Sequence, residues 1–165
     1  MIQCNFFEIR LLRLVDEFPQ SVDFLCQTDL PEGTRLILSC QRRFTNTRGE
    51  ECLWIGQDEE LEISSDGSSD SNGCRGHIDV VNSDRKALDR FKQISSESSA
   101  GIASPVSDNL ELVITVGARQ PLKGFGKHNA FLCGRMVRED GGVKFVRETL
   151  NVNLPMDRQY QPPIC

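Results

Sequence analysis

The sequence predicts a mainly β protein, an antiparallel β-sandwich of about seven to nine strands with one short α-helix over about 84–94. Three observations predict it. First, apolar side chains recur every second residue in several segments, the pattern of a half-buried antiparallel strand. Leu36, Leu38, Cys40 and Phe44 fall on one side of such a segment, and Arg35, Ser39, Gln41 and Arg43 on the other. Leu110, Leu112, Ile114 and Val116 repeat the pattern against Glu111, Val113 and Thr115. Second, turn signals punctuate these segments, at Leu30-Pro31-Glu32-Gly33 and at Glu139-Asp140-Gly141-Gly142. Third, helical spacing is clear in only one place, where Ala87, Leu88, Phe91 and Ile94 share a face.

Taken in order, residues 2–15 fit two periods. Phe7, Ile9 and Leu11 alternate like a strand, while Phe7, Leu11, Leu14 and Phe18 recur like a helix face. The strand-rich sequence that follows favours the strand. Val22, Phe24 and Cys26 alternate, and the Leu30–Gly33 turn then leads into the Leu36–Phe44 strand, so the two read as a hairpin. Leu53-Trp54-Ile55 is a short apolar run, and Leu61 and Ile63 alternate with Glu60 and Glu62. Ser64 to Gly76 reads as a Ser/Asp/Gly loop, with a short strand at Ile78 and Val80. Ser83 or Asp84 can cap the helix. Gln120 to Asn129 reads as a loop. Phe131 to Arg138 and Val143 to Val152 flank the Gly141-Gly142 turn as a hairpin. The domain is expected to span 1–154, with 155–165 an extended or loose tail.

At 165 residues and a net charge of −5, the chain is long enough for one cored domain and has no general attraction for nucleic acid or an anionic membrane. Single-strand binders carry several stacking aromatics along a basic groove, whereas Tyr and Trp occur once each here. Charge is uneven. Glu50, Glu51, Asp58, Glu59, Glu60, Glu62, Asp66 and Asp70 lie in a stretch without Lys or Arg, and the later segment holds Arg119, Lys123, Lys127, Arg135, Arg138, Lys144 and Arg147. No run approaches the ~20 apolar residues of a membrane span. Glu8, Arg10 and Arg13 interrupt the apolar start, so no secretory signal is visible. The seven cysteines show no C-x-x-C spacing, and they read as reduced packing residues of a cytoplasmic protein.

The Leu30-Pro31-Glu32-Gly33-Thr34 strand–turn pattern resembles the immunoglobulin-like modules of bacterial surface and accessory proteins, over about twenty residues. Cys26, Trp54 and Cys133 lie further apart than the cysteine–tryptophan–cysteine set of antibody domains. The resemblance implies an immunoglobulin-like β-sandwich with a binding or structural role.

Four constellations could carry chemistry. Cys74 and His77, with His128 and Cys133, could make a tetrahedral zinc site if two loops met, although the spacing matches no established zinc signature. Ser68, Asp70, Asn72, Gly73 and Asp79 fit several positions of a calcium loop, but Ser replaces the first Asp and Asp the final bidentate Glu. In Pro121 to Asn129, Lys123, Lys127 and His128 surround Gly124 and Gly126, so backbone N–H groups could cradle an anion, with Arg119 and Arg135 contributing. The spacing is not that of a P-loop. For catalysis there is neither a G-x-S-x-G nor an H-E-x-x-H motif, and only Cys133 with His128 could pair a nucleophile and a base. The chain therefore reads as a non-catalytic binding or protein-interaction module with another protein as its partner. The alternative is a small metal-dependent or thiol enzyme using Cys74, His77, His128 and Cys133.

Overall fold

The computed structural model describes residues 1–65, 72–98 and 100–165. It is mainly β, with three sheets and one α-helix among the described residues. The strands are β1 (Ile2–Gln3), β2 (Phe7–Val15), β3 (Ser21–Thr28), β4 (Arg35–Thr45), β5 (Glu51–Glu62), β6 (Ser64–Ser65), β7 (Asn72–Asp79), β8 (Asn109–Val116), β9 (Leu132–Cys133), β10 (Arg138–Asp140) and β11 (Val143–Asn153). The helix, α1, runs Val80–Ser98. One sheet has the order β10-β11-β8-β4-β5 and a second β2-β3-β7-β6, while β1 and β9 form a short parallel pair.

Alternation explains how the two larger sheets meet. Phe7, Val22, Phe24, Cys26 and Ile78 project from the four-stranded sheet, and Leu36, Leu38, Leu112, Ile114 and Val146 from the five-stranded one, into one buried cluster. The cluster ends partway along β4. Beyond Cys40 the same face of β4 carries Arg42 and Phe44, and Phe44 joins Trp54, Ala87, Ile102 and Val106 in a second cluster beneath α1. A single strand thus spans two kinds of cover, sheet and helix.

Several expectations hold. The Gly141-Gly142 turn closes the β10–β11 hairpin with φ of 57° and 78°, as a two-residue turn requires. The first strand of that pair is shorter than expected, because residues 134–137 fold over Cys4 and Asn5, where Met136 N–H donates to Cys4 O at 3.1 Å. The Leu30–Thr34 turn is not a hairpin. β3 pairs with β2 and β7, and β4 with β5 and β8, so the turn crosses from one sheet to the other. Ile63 holds the crossing in place: Gly33 N–H donates to Ile63 O at 2.8 Å, and Ile63 N–H to Thr34 O at 2.9 Å. Leu53–Ile55 and Leu61 belong to one long strand, β5, which pairs with β4 along its length.

Residues 72–76 form a strand where a loop is expected. Low strand propensity is overridden by packing, since the glycines there admit close neighbours. A Cβ on Gly76 would lie 2.2 Å from the Phe24 ring, and one on Gly73 2.3 Å from Cys26 O. The helix also starts earlier than expected. Asp79 caps it, Oδ1 accepting from Asn82 N–H at 3.1 Å, so Val80 opens the helix instead of extending a strand. Ser83 and Asp84 lie inside the helix and are buried. Residues 155–165 pack back on the fold. Tyr160 is buried, Val106 N–H donates to Gln161 Oε1 at 2.9 Å, and Cys165 N–H donates to Ile102 O at 2.9 Å.

Candidate functional site: an apolar groove between helix and sheet

The helix rests directly on the sheet at Gly56. A Cβ there would fall 2.0 Å from Ser83 Oγ and 2.3 Å from Ser83 O. With no side chain at 56, the helix backbone rests on β5, and Ser83 Oγ accepts from Gln57 N–H at 2.8 Å. At the next residue along the helix, Asp84 meets Arg42. Arg42 is 0% exposed, and its Nε donates to Asp84 Oδ1 at 2.9 Å and its Nη2 to Asp84 Oδ2 at 3.2 Å. Its Nη1 donates to Leu154 O and to Ser107 O. Burial pushes the Asp84 carboxyl up, while the Arg42 charge and hydrogen bonds pull it down. The pair joins the helix, β4 and the chain after β11.

Past this anchor the helix loses its cover. Val80, Val81, Ser83, Asp84 and Ala87 are buried, Leu88 and Phe91 are partly so, and Ile94 is 61% exposed. Between the second half of α1 and the start of β5 lies a groove of about 450 Å³. Its floor is aromatic. Phe44 stands edge-on to Trp54 and to Phe91, with centroids 6.2 Å and 5.7 Å apart, and Trp54 tilts against Phe91 at 5.8 Å. Ile94 stands exposed at the rim on the helix side, and Cys52 lines the strand side, while Leu53 alternates to the other face of β5, opposite Arg43. Arg90 lines the mouth, its Nη1 donating to Ile55 O at 3.3 Å, and no carboxylate among the described residues pairs with it. Trp54 Nε1 is buried on the Asp84 side, where it helps to hold that carboxyl down. Such a volume and apolar lining are those of sites that hold an apolar group.

The residues singled out in the sequence lie elsewhere. Cys74 and His77 are three apart on β7 and therefore on opposite faces. Cys74 packs on the core, and exposed His77 donates from Nδ1 to Asp23 Oδ1. Cys133, on β9, has its Sγ 3.5 Å from Ile2 O, and His128 is exposed with φ of 54°. Among the described residues no group of three His, Cys, Asp or Glu side chains is placed to hold a metal ion. Of the calcium pattern, Ser68 and Asp70 lie outside the described residues. Asn72 Nδ2 donates to Leu30 O at 2.9 Å, Gly73 packs under the β3 backbone, and Asp79 caps the helix.

The basic loop is anchored by burial. Phe125 is in the core, and buried Asn129 donates from Nδ2 to Gly117 O and Lys144 O at 2.8 and 2.9 Å. Side chains cover both glycines: a Cβ on Gly124 would lie 3.1 Å from Ile2 Cδ1, and one on Gly126 2.7 Å from the Phe131 ring. Arg119, Lys123 and Lys127 are exposed, and Arg135 is turned to Asn5, its Nε donating to Asn5 O at 2.6 Å. The groove itself was missed by sequence reasoning, although signals were present. Trp54 and Phe91 were visible as apolar residues, and Arg42 falls in phase between Cys40 and Phe44 on the inward side of β4. A charge in an apolar register marks a buried partner. Compared with protein-family models, with curated proteins and with solved structures, the chain matches none.

Proposed function

We propose that this chain is a non-catalytic interaction module whose groove between α1 and β5 takes an apolar segment of another protein. The observation that carries the reading is the groove: an aromatic floor of Phe44, Trp54 and Phe91 beneath an exposed apolar rim at Ile94. A small ligand would fill the groove and leave Ile94 wet, whereas a protein segment fills the groove and covers the rim as well. Arg90 at the mouth adds a preference for a carboxylate beside the apolar anchors. The two larger sheets sharing one core, with a turn that crosses between them, support the further reading of an immunoglobulin-like β-sandwich as the scaffold.

Trp54 is the only tryptophan in the chain, so its emission reports on the groove directly. Short peptides selected from a displayed random library are expected to carry two apolar anchors and a nearby acid, and to shift Trp54 emission saturably. Ile94→Glu places a charge on the rim and is expected to weaken that binding at least about tenfold, the cost of a lost hot-spot contact. If no selected peptide moves the Trp54 signal, or if Ile94→Glu binds unchanged, the reading is wrong.

A further inference from the structure

Cys26 and Cys74 face each other in direct register across the β3–β7 ladder. Partners in register project from the same face of a sheet, and here that face is the core. Cys26 is fully buried, and Cys74 packs on the same cluster while keeping partial access to solvent. Val80 N–H donates to Gln20 O at 3.1 Å, one step beyond the Ser21–Asp79 pair. Counting in twos from that bond makes Cys26–Cys74 a hydrogen-bonded pair, whose Cα atoms stand about 5.5 Å apart. Disulfides form at Cα separations of about 4.4–6.8 Å. Opposed Cβ atoms stand about 4.5–5.5 Å apart in such ladders, hydrogen-bonded pairs at the wide end, which is about 1 Å beyond the about 3.5–4.5 Å of a relaxed disulfide. Closure therefore draws the strands together locally and gives a bond that is easily reduced.

The two thiols are unequal. Interaction with Cys74, together with burial, holds the Cys26 thiol above its usual range, and the same interaction holds Cys74, the more accessible of the two, below it. A third thiol, Cys4, lies 3.8 Å from Thr28 Oγ1, and burial pushes it up to about 11, so it is the poorer nucleophile.

We propose that Cys26 and Cys74 form a reversible dithiol–disulfide site, with Cys74 the thiol that reacts with a hydroperoxide and Cys26 the one that resolves the product. The Cys74 thiolate attacks a peroxide oxygen, the O–O bond breaks, and the hydroxide or alkoxide released takes up a proton. This leaves Cys74 as a sulfenic acid. The Cys26 sulfur then attacks the Cys74 sulfur, the S–O bond breaks, and water leaves carrying the Cys26 proton. Two thiols are oxidised by two electrons in total, and the hydroperoxide is reduced by two.

Peroxide mapping of the whole chain tests this. Reduced protein is treated with one equivalent of hydrogen peroxide, alkylated with N-ethylmaleimide under denaturing conditions, digested and sequenced by mass spectrometry. The expected product is a Cys26 peptide joined to a Cys74 peptide, separated again by dithiothreitol. Cys74→Ser is expected to leave Cys26 alkylatable at the same dose. Cys26→Ala is expected to stop at the sulfenic acid, seen as a dimedone adduct on Cys74. The proposal is overturned if Cys26 and Cys74 both remain alkylated after peroxide, or if Cys74 is found joined to any other cysteine. The wild-type map gives this answer even if a variant does not fold.

Discussion

The inner face of β4 is covered in two ways along its length, and the two covers differ in completeness. From Leu36 to Cys40 the four-stranded sheet lies over it, and every side chain in that row is essentially inaccessible. At Phe44 a single helix lies over it, and a groove of about 450 Å³ remains. A sheet matches another sheet across its full width, row against row. A helix is a cylinder and covers one stripe. Here that stripe is pinned at Gly56 and Asp84, so the opposite end of α1 leaves apolar surface open. Filled surface supports the fold, and open surface is what remains for a partner. Arg42 stands at the boundary between them.

Breaking that boundary is expected to have the largest effect. Arg42→Ala leaves Asp84 buried without its cation and strips donors from Leu154 O and Ser107 O. A loss of about 3–5 kcal/mol is expected, since removing one partner of a buried ion pair costs that much. Denaturant unfolding measures it. Replacing both members, as Arg42→Met with Asp84→Leu, is expected to recover most of the loss. A double variant as unstable as the single one would mean that the carbonyl contacts, and not the unpaired carboxyl, dominate.

Next comes Gly56→Ala. The added methyl collides with the Ser83 backbone, which a side-chain rotation cannot relieve, so overpacking of about 1–3 kcal/mol is expected. The variant sharpens the comparison because it moves the helix and leaves the sheet-covered half alone. Trp54 emission should therefore shift in the native state. A stable protein with unshifted emission would show that the helix is not pinned at this point.

The two halves were also unequally legible in the sequence. The sheet-covered half follows from period two: Leu36, Leu38, Leu112 and Ile114 announce both their strands and their inward face. The β10–β11 hairpin follows from a glycine pair suited to left-handed backbone. What was illegible depends on residues distant in sequence. Nothing local to Gly73 or Gly76 says strand; the Phe24 ring and the β3 carbonyl make them so. Ser83 and Asp84 look like caps because both types favour that position, yet a buried guanidinium and the Gln57 N–H recruit them into the helix. The groove is a property of how α1 lies on β5, which neither segment encodes alone, and the residues with evident chemistry, Cys74, His77, His128 and Cys133, were placed apart by the same tertiary choices.

The gentlest probe of the comparison leaves the protein unmutated and reads its thiols. Cys40 lies in the sheet-covered half, and burial pushes it up to about 11. At pH 8 about a thousandth of such a group is thiolate, and no path from solvent reaches it in the native fold. Cys52 lines the groove and is half-buried, and Cys165 is exposed. Brief labelling of native protein with a maleimide, followed by peptide mapping, is expected to modify Cys165 and Cys52 and to spare Cys40. An apolar dye such as 8-anilinonaphthalene-1-sulfonate, seated on the aromatic floor, should slow Cys52 severalfold and leave Cys165 unchanged. Raising the pH speeds labelling of a thiol only where reagent can reach it, so a rise at Cys40 in step with Cys52 would show that the sheet-covered half opens as readily as the groove. Cys52 labelling that ignores the dye would separate the aromatic floor from the wall that Cys52 forms, and the groove would then be two shallow surfaces instead of one site.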